Sequence, residues 1–247
     1  AITAPLQDSR PAAAAASQSV RVRAAQMLGP NDRLLTGGIA VNSADGARVD
    51  SATNSIFVLA PGGAVMGRYD KAHLVPYGEY LPMRPLLSSM GLSRLAPGDM
   101  DFAAGPGPRT IALGGQWGSV GLQVCYEIIF SGRVVDQANR PSFIFNPSND
   151  AWFGSWGPPQ HLAMARLRAA EEGLPVVRST PTGISAVIDA KGNVLHSIGT
   201  NKAGVIDSII PPAAPSATMF ARFGNSIPVL FGLLLMIGGI VLRRRER

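Results

Sequence analysis

Cys125 is the only cysteine among 247 residues, and it sits where a nucleophile would sit. Residues 117–130 read W-G-S-V-G-L-Q-V-C-Y-E-I-I-F. The apolar run Val120, Leu122, Val124 delivers the thiol to a sharp change of pattern, so a strand is expected to end there and to present the sulfur at an open edge. A thiol becomes a good nucleophile once a neighbour takes its proton. A buried structural cysteine explains Cys125 alone equally well. The segment Tyr69 to Pro82, Y-D-K-A-H-L-V-P-Y-G-E-Y-L-P, supplies Lys71, His73 and Glu79. A lysine near a thiol and a carboxylate stabilises a thiolate and a developing oxyanion together, and a carboxylate serves as a general base. Plainer readings stand beside these. Lys71 pairs with Asp70 at the surface, Glu79 is a solvated loop acid, Glu127 caps a helix, and His73 and His161 are structural. Asn149, Asp150, Trp152 and Phe153 shape a pocket or only fix a turn. Zinc spacing, a P-loop, a dinucleotide fingerprint and G-x-S-x-G are missing from the sequence, so the chemistry is expected to need no metal and no cofactor.

The elements that must position these groups alternate. A surface helix is expected from Pro11 to Leu28, stopped at Gly29-Pro30. A strand follows over Arg33–Val41, then a hairpin of Ser55–Leu59 and Ala64–Tyr69 around Pro61-Gly62-Gly63. Met83–Leu95 reads as an apolar loop or short helix, either core or a mobile flap over a greasy substrate. Strands are expected at Ile111–Leu113, Val120–Val124 and Ser142–Asn146, with a helix over Ile128–Ala138. Pro159–Glu172 is a second helix, with proline in its first turn and Gly173 as its stop. Short strands close the pattern at Val176–Ser179, Ile184–Ile188 and Val194–Ile198. This is a layered α/β arrangement with a mixed sheet, in residues 1–222 as one domain.

The composition is 46% hydrophobic and 15% charged, with 28 glycines and 20 prolines, which excludes a helical bundle. The formal charge is +6, but half of it sits in the last five residues and no basic stripe is interleaved with aromatics, so nucleic acid is not an expected partner. Ile227–Leu242 carries no charge. Counted from Phe223 to Leu242 the segment spans about 30 Å as a helix, enough for a bilayer core. Residues 223–242 are therefore expected to cross a membrane, with the basic tail 243–247 in the cytoplasm and the domain on the other face. The first residues, A-I-T-A-P, form no signal peptide.

Five ordered segments go beyond these general patterns: Y-D-K-A-H-L-V-P-Y-G-E-Y-L-P, V-C-Y-E-I-I-F, N-P-S-N-D-A-W-F-G, Q-H-L-A-M-A-R-L-R-A-A-E and R-S-T-P-T-G-I-S-A-V-I-D. Together with the apolar tail they closely resemble the nitrilase-like domain of the apolipoprotein N-acyltransferase family. The resemblance implies a four-layer α-β-β-α sandwich in the bacterial inner membrane, with the catalytic domain on the periplasmic face. It implies a Glu-Lys-Cys triad, with Cys125 as nucleophile, Lys71 as the lysine, Glu79 as an additional glutamate supporting it, and Tyr126 and Glu127 beside the nucleophile. The implied partners are a phospholipid acyl donor, an apolipoprotein acceptor and the membrane; a monomer is expected. The family's base glutamate lies in a W-P-E segment near the start of the domain, and this chain reads as if cut just after it. A nitrilase-type amidase, an inactive membrane-anchored fragment, and a Cys-His hydrolase using His73 are the alternatives.

Overall fold

A computed structural model describes residues 5–93 and 100–245, leaving out the side chains of Phe153, Arg244 and Arg245. Leu95, the end of the expected flap, and the last two residues of the basic tail lie outside the described residues.

One sheet has the order β1 (Gln7–Asp8), β2 (Leu34–Asn42), β3 (Ser51–Leu59), β4 (Val65–Asp70). β1 runs parallel to β2, and the other pairs are antiparallel. The second sheet is built from β5 (Thr110–Ala112), β6 (Ser119–Leu122), β7 (Phe143–Pro147), β8 (Val176–Ser179), β9 (Ser185–Ile188) and β10 (Val194–Ile198), ordered 10-9-8-7-6-5. β6, β7 and β8 are parallel, so their carboxyl ends share one edge; the flanking pairs are antiparallel.

Alternation along the strands builds the layers, because successive side chains of a strand point to opposite faces. Ile56 and Val58 of β3 join Tyr69, Val120, Leu122, Phe143 and Phe145 in a core between the sheets. Phe57 and Leu59 of β3 face the other way, with Leu6, Ala40 and Val20 of α1 (Pro11–Ala24). Ile144 of β7 and Val176 of β8 pack against Ala165 and Ala169 of α3 (Gly157–Glu172). The order is helix, sheet, sheet, helix, as the resemblance implied. In the β3–β4 hairpin Gly62 and Gly63 take φ of 75° and 79°. A Cβ on Gly63 would come within 2.7 Å of the Arg21 backbone, so glycine is what lets α1 lie on this turn.

The helix expected over Ile128–Ala138 does not form. Residues Cys125–Ile129 make a short 3-10 turn, Phe130 is extended, and Gly132 takes φ 72°. Ile128, Val134 and Val135 are buried nonetheless, so their helix-like spacing reflects core contacts made from irregular backbone. In the Met83–Leu95 stretch a short α2 (Arg84–Ser89) forms, with Met83, Leu86, Met90 and Leu92 exposed.

The apolar C-terminal stretch is divided. α4 (Met219–Phe223) is capped by Thr218, whose Oγ1 accepts from the Ala221 N–H at 2.9 Å. Gly224, at φ 55°, ends it, and α5 (Ser226–Arg245) follows. The window Ser226–Arg243 has a mean hydropathy of 2.1 and none of it is buried, so this helix is long and apolar enough to cross a membrane.

Candidate active site

The thiol stands where β6 ends. Cys125 opens the 3-10 turn with φ 50°, a left-handed conformation that few residues other than Gly, Asn and Asp adopt without support. Its side chain is half-buried against the inter-sheet core, and Sγ lies 3.9 Å from the Asn149 carbonyl oxygen. Tyr126 follows in the first turn of a helical segment, whose leading N–H groups have no partner within the helix. Its ring meets Phe130 edge-on at 5.0 Å.

Lys71 arrives from the other sheet. It is 1% exposed, and its Nζ donates to Glu79 Oε2 at 2.7 Å. Glu79 also accepts from the Val75 N–H at 2.8 Å and from Asn54 Nδ2 at 2.9 Å. The backbone of Lys71 is clamped as well: its N–H donates to Asn54 O, and its carbonyl accepts from the Gly105 N–H. Asp70 takes Arg68 Nη2, Thr53 Oγ1 and Ser55 Oγ instead. The plainer reading of Lys71 as a surface lysine paired with Asp70 therefore does not hold: Lys71 is buried and pairs with Glu79. A buried ammonium keeps its charge only with such a partner, because burial disfavours the charged form.

Glu127 ties the two segments together. Its Oε1 accepts from Tyr69 Oη at 2.8 Å, Ala72 N at 2.8 Å and His73 N at 3.0 Å. Its Oε2 accepts from Val124 N at 2.8 Å. One buried carboxylate thus holds the residue after Lys71 and the residue before Cys125. Burial, followed by the charge of Glu127, pushes the Tyr69 phenol well above its ordinary value, so this hydroxyl remains a donor. Glu127 thus caps the turn and links it to the segment that follows β4.

A second buried network lies on the far side of the thiol. His161, from the first half of α3, places Nε2 3.1 Å from Cys125 O and Nδ1 2.9 Å from Asp150 Oδ1. Arg178 of β8 donates to Asp150 Oδ2 at 2.7 Å and to Ser148 Oγ at 3.0 Å. Burial raises the Asp150 carboxyl, but the hydrogen bond from His161 and the charge of Arg178 outweigh it and hold the group below its ordinary range. Gly183 makes room: a Cβ there would fall 2.1 Å from Asp150 Oδ2.

Cys125, Asp150 and His161 place possible ligand atoms within 4.8 Å of one another. They fit a metal poorly, since Asp150 is bound to a buried guanidinium and His161 Nε2 faces a carbonyl oxygen. His73 instead stacks on Phe130 at 4.5 Å. Asn149 fixes a turn, with Oδ1 accepting from Ala151 N and Thr182 Oγ1, and Trp152 is 64% exposed. The Phe153 side chain lies outside the described residues. The roles of His161 and Arg178 were not legible in the sequence; Q-H-L and V-R-S carry no local signal that sets them beside a thiol.

Comparison with known proteins shows the family. The family model for carbon-nitrogen hydrolase matches residues 5–216. The chain is 40% identical over 225 residues to the apolipoprotein N-acyltransferase of Bradyrhizobium diazoefficiens, covering 89% of this chain and 42% of that protein. It is also 40% identical to the enzyme of the same name from Rhodopseudomonas palustris, covering 90% and 41%. The chain thus spans about two fifths of the length of these relatives. Among solved structures, a branch 10 member of the nitrilase superfamily from Saccharomyces cerevisiae superposes with a TM-score of 0.53 at 18% identity, covering 76% of this chain and 62% of that one. That likeness shows the shared fold.

Proposed function

The chain belongs to the carbon-nitrogen hydrolase family, and from that premise we propose that it is the nucleophile-bearing part of an apolipoprotein N-acyltransferase. The observation that carries this reading is the Glu127 carboxylate, which joins the segments of Lys71 and Cys125 next to a buried Lys71–Glu79 pair. The names of the relatives set the reaction class.

In this reading the Cys125 thiolate attacks the ester carbonyl of a membrane phospholipid. The negative charge moving onto the carbonyl oxygen is met by the Lys71 ammonium and the Tyr126 N–H. The tetrahedral adduct collapses by breaking the C–O bond. The lysophospholipid oxygen leaves with a proton, and an acyl thioester remains on Cys125. The α-amine of a diacylglyceryl-cysteine at the N-terminus of an apolipoprotein then attacks the thioester, loses its proton, forms the amide and expels the thiolate. Glu79 holds Lys71 in place. The resemblance assigns proton transfer to a glutamate in a W-P-E segment, and these 247 residues contain no W-P-E.

Both substrates are lipids, which gives α5 a role. Tethering the domain at the bilayer raises the effective concentration of both partners at the thiol. The exposed Met83, Leu86, Met90 and Leu92 suit an acyl chain better than a small polar amide. By the positive-inside rule the arginines after Leu242 stay in the cytoplasm of a bacterial inner membrane, with the domain on the periplasmic face.

The test uses the complete product of the gene in phospholipid vesicles. A diacylglyceryl-cysteine peptide should gain an amide-linked acyl group from labelled phospholipid, and Cys125→Ser should abolish the transfer. Release of ammonia from small amides with no acylated peptide would point to an amidase instead.

A further inference from the structure

The peptide group between Cys125 and Tyr126 has its oxygen held from two sides. His161 Nε2 lies 3.1 Å from Cys125 O, and Asn146 Nδ2 lies 3.4 Å from the same atom while also donating to Gln123 O at 2.8 Å. A carbonyl oxygen only accepts, so for this contact to be a hydrogen bond His161 must carry a hydrogen at Nε2. The other ring nitrogen is 2.9 Å from Asp150 Oδ1 and 3.1 Å from Arg178 Nη2. Arg178 is itself 2% exposed and anchored to Asp150, Ser148 and the Ile184 carbonyl. The imidazole has little freedom to turn.

A trans peptide is planar, with its C=O and N–H pointing in opposite directions. Whatever grips Cys125 O therefore aims the Tyr126 N–H away from α3. The residue whose carbonyl is gripped has the left-handed φ of 50° from which the thiol is presented. Direct proton transfer between His161 and the thiol fits less well, because Nε2 is committed to the carbonyl oxygen.

We propose that His161, oriented by Asp150 and Arg178, is a positioning residue that grips the Cys125 carbonyl and so aims both the thiol and the Tyr126 N–H at the acyl carbonyl. This rests on the reading of Cys125 as the acyl-accepting nucleophile. In this proposal the effect of His161 passes through one peptide plane, by way of its contact with the Cys125 carbonyl oxygen.

Two rates measured on the full-length enzyme separate the possibilities. Single-turnover acylation of Cys125 by phospholipid reports the aim of the oxyanion donor. The pH profile of Cys125 alkylation by iodoacetamide reports only the thiolate. His161→Ala should slow acylation about 10²–10³-fold, the usual loss for one oxyanion donor, and leave the alkylation profile unmoved. His161→Gln, whose amide N–H can replace Nε2–H, should recover acylation to within about tenfold of the wild type. A displaced alkylation profile in both variants, without recovery by glutamine, would make His161 a base and overturn the proposal. Unchanged acylation in His161→Ala would overturn it too. If the alanine variant does not fold, the glutamine variant decides alone: acylation within about tenfold on an unmoved profile supports the proposal, and a loss beyond about 100-fold or a displaced profile overturns it. A wild-type enzyme whose Cys125 alkylates normally but never takes an acyl group refutes the nucleophile reading, and the proposal with it.

Discussion

Glu127 accepts from four donors, and no neutral side chain replaces it. In Glu127→Gln the amide nitrogen must face an N–H or O–H that also needs an acceptor, which leaves buried donors unmet at about 1–3 kcal/mol. The variant should melt lower than wild type and lose acylation, because the segments of Lys71 and Cys125 lose their shared anchor; thermal unfolding beside a thioester assay checks both. Lys71→Met should keep the volume but remove the cation, slowing iodoacetamide alkylation of Cys125 at neutral pH about tenfold or more. An unchanged rate would separate Lys71 from the thiol. Part of this was legible beforehand: the segment Y-D-K-A-H-L-V-P-Y-G-E-Y-L-P marked Lys71 and Glu79 as candidates, though nothing local showed that the lysine is buried. Its partner did not follow. Asp70 is adjacent in sequence but faces Thr53, Ser55 and Arg68, whereas Glu79 returns through a loop.

Strands β2 to β10 and α3 were legible as elements because alternation and capping residues are local signals, whereas the two-residue β1 is too short to show a pattern. The turn after Cys125 was not, because buried residues at helical spacing occur equally on irregular backbone. Nor was the junction of β7, β8 and α3, where Asp150, His161, Arg178 and Gly183 meet through long-range packing. That junction makes a steric prediction. Gly183→Ala drives a methyl group to within 2.1 Å of Asp150 Oδ2, so the network must shift, and a stability loss of about 1–3 kcal/mol is expected in chemical unfolding. It also makes a pH prediction. Despite its burial, the His161 hydrogen bond and the Arg178 charge hold the folded-state pKa of Asp150 below that of an ordinary aspartate, so its stabilising contribution is complete above about pH 4 and is lost as pH falls through the lower, folded value. Wild-type stability should therefore fall on acidification below pH 4. Asp150→Asn should lose stability at neutral pH, where Arg178 is left without its counter-charge, and should respond less to acid.

Across the whole molecule, the order helix, sheet, sheet, helix came from the resemblance; patterning alone gave a layered α/β arrangement with a mixed sheet. The pairing of the ten strands among the described residues into two sheets depended on contacts distant in sequence. The site lies where the carboxyl ends of β6 and β7 meet the end of β4. α3 carries His161 in its first half and is followed by Gly173, whose carbonyl accepts from Ala214 N at 2.8 Å on the path to the apolar helix. The membrane orientation proposed for α5 predicts opposite labelling at the two ends. In a Cys125→Ser background, an impermeant maleimide applied to spheroplasts should label Ser88→Cys and leave Arg247→Cys unlabelled; the reverse result would invert the topology. The central claim is a covalent one. The full-length enzyme should be mixed with phospholipid, quenched in acid and mapped by peptide mass spectrometry. A hydroxylamine-sensitive acyl group should appear on Cys125 and disappear when diacylglyceryl-cysteine peptide is added. An acyl group on another residue, or one that persists on Cys125 in the presence of the peptide, would contradict the account.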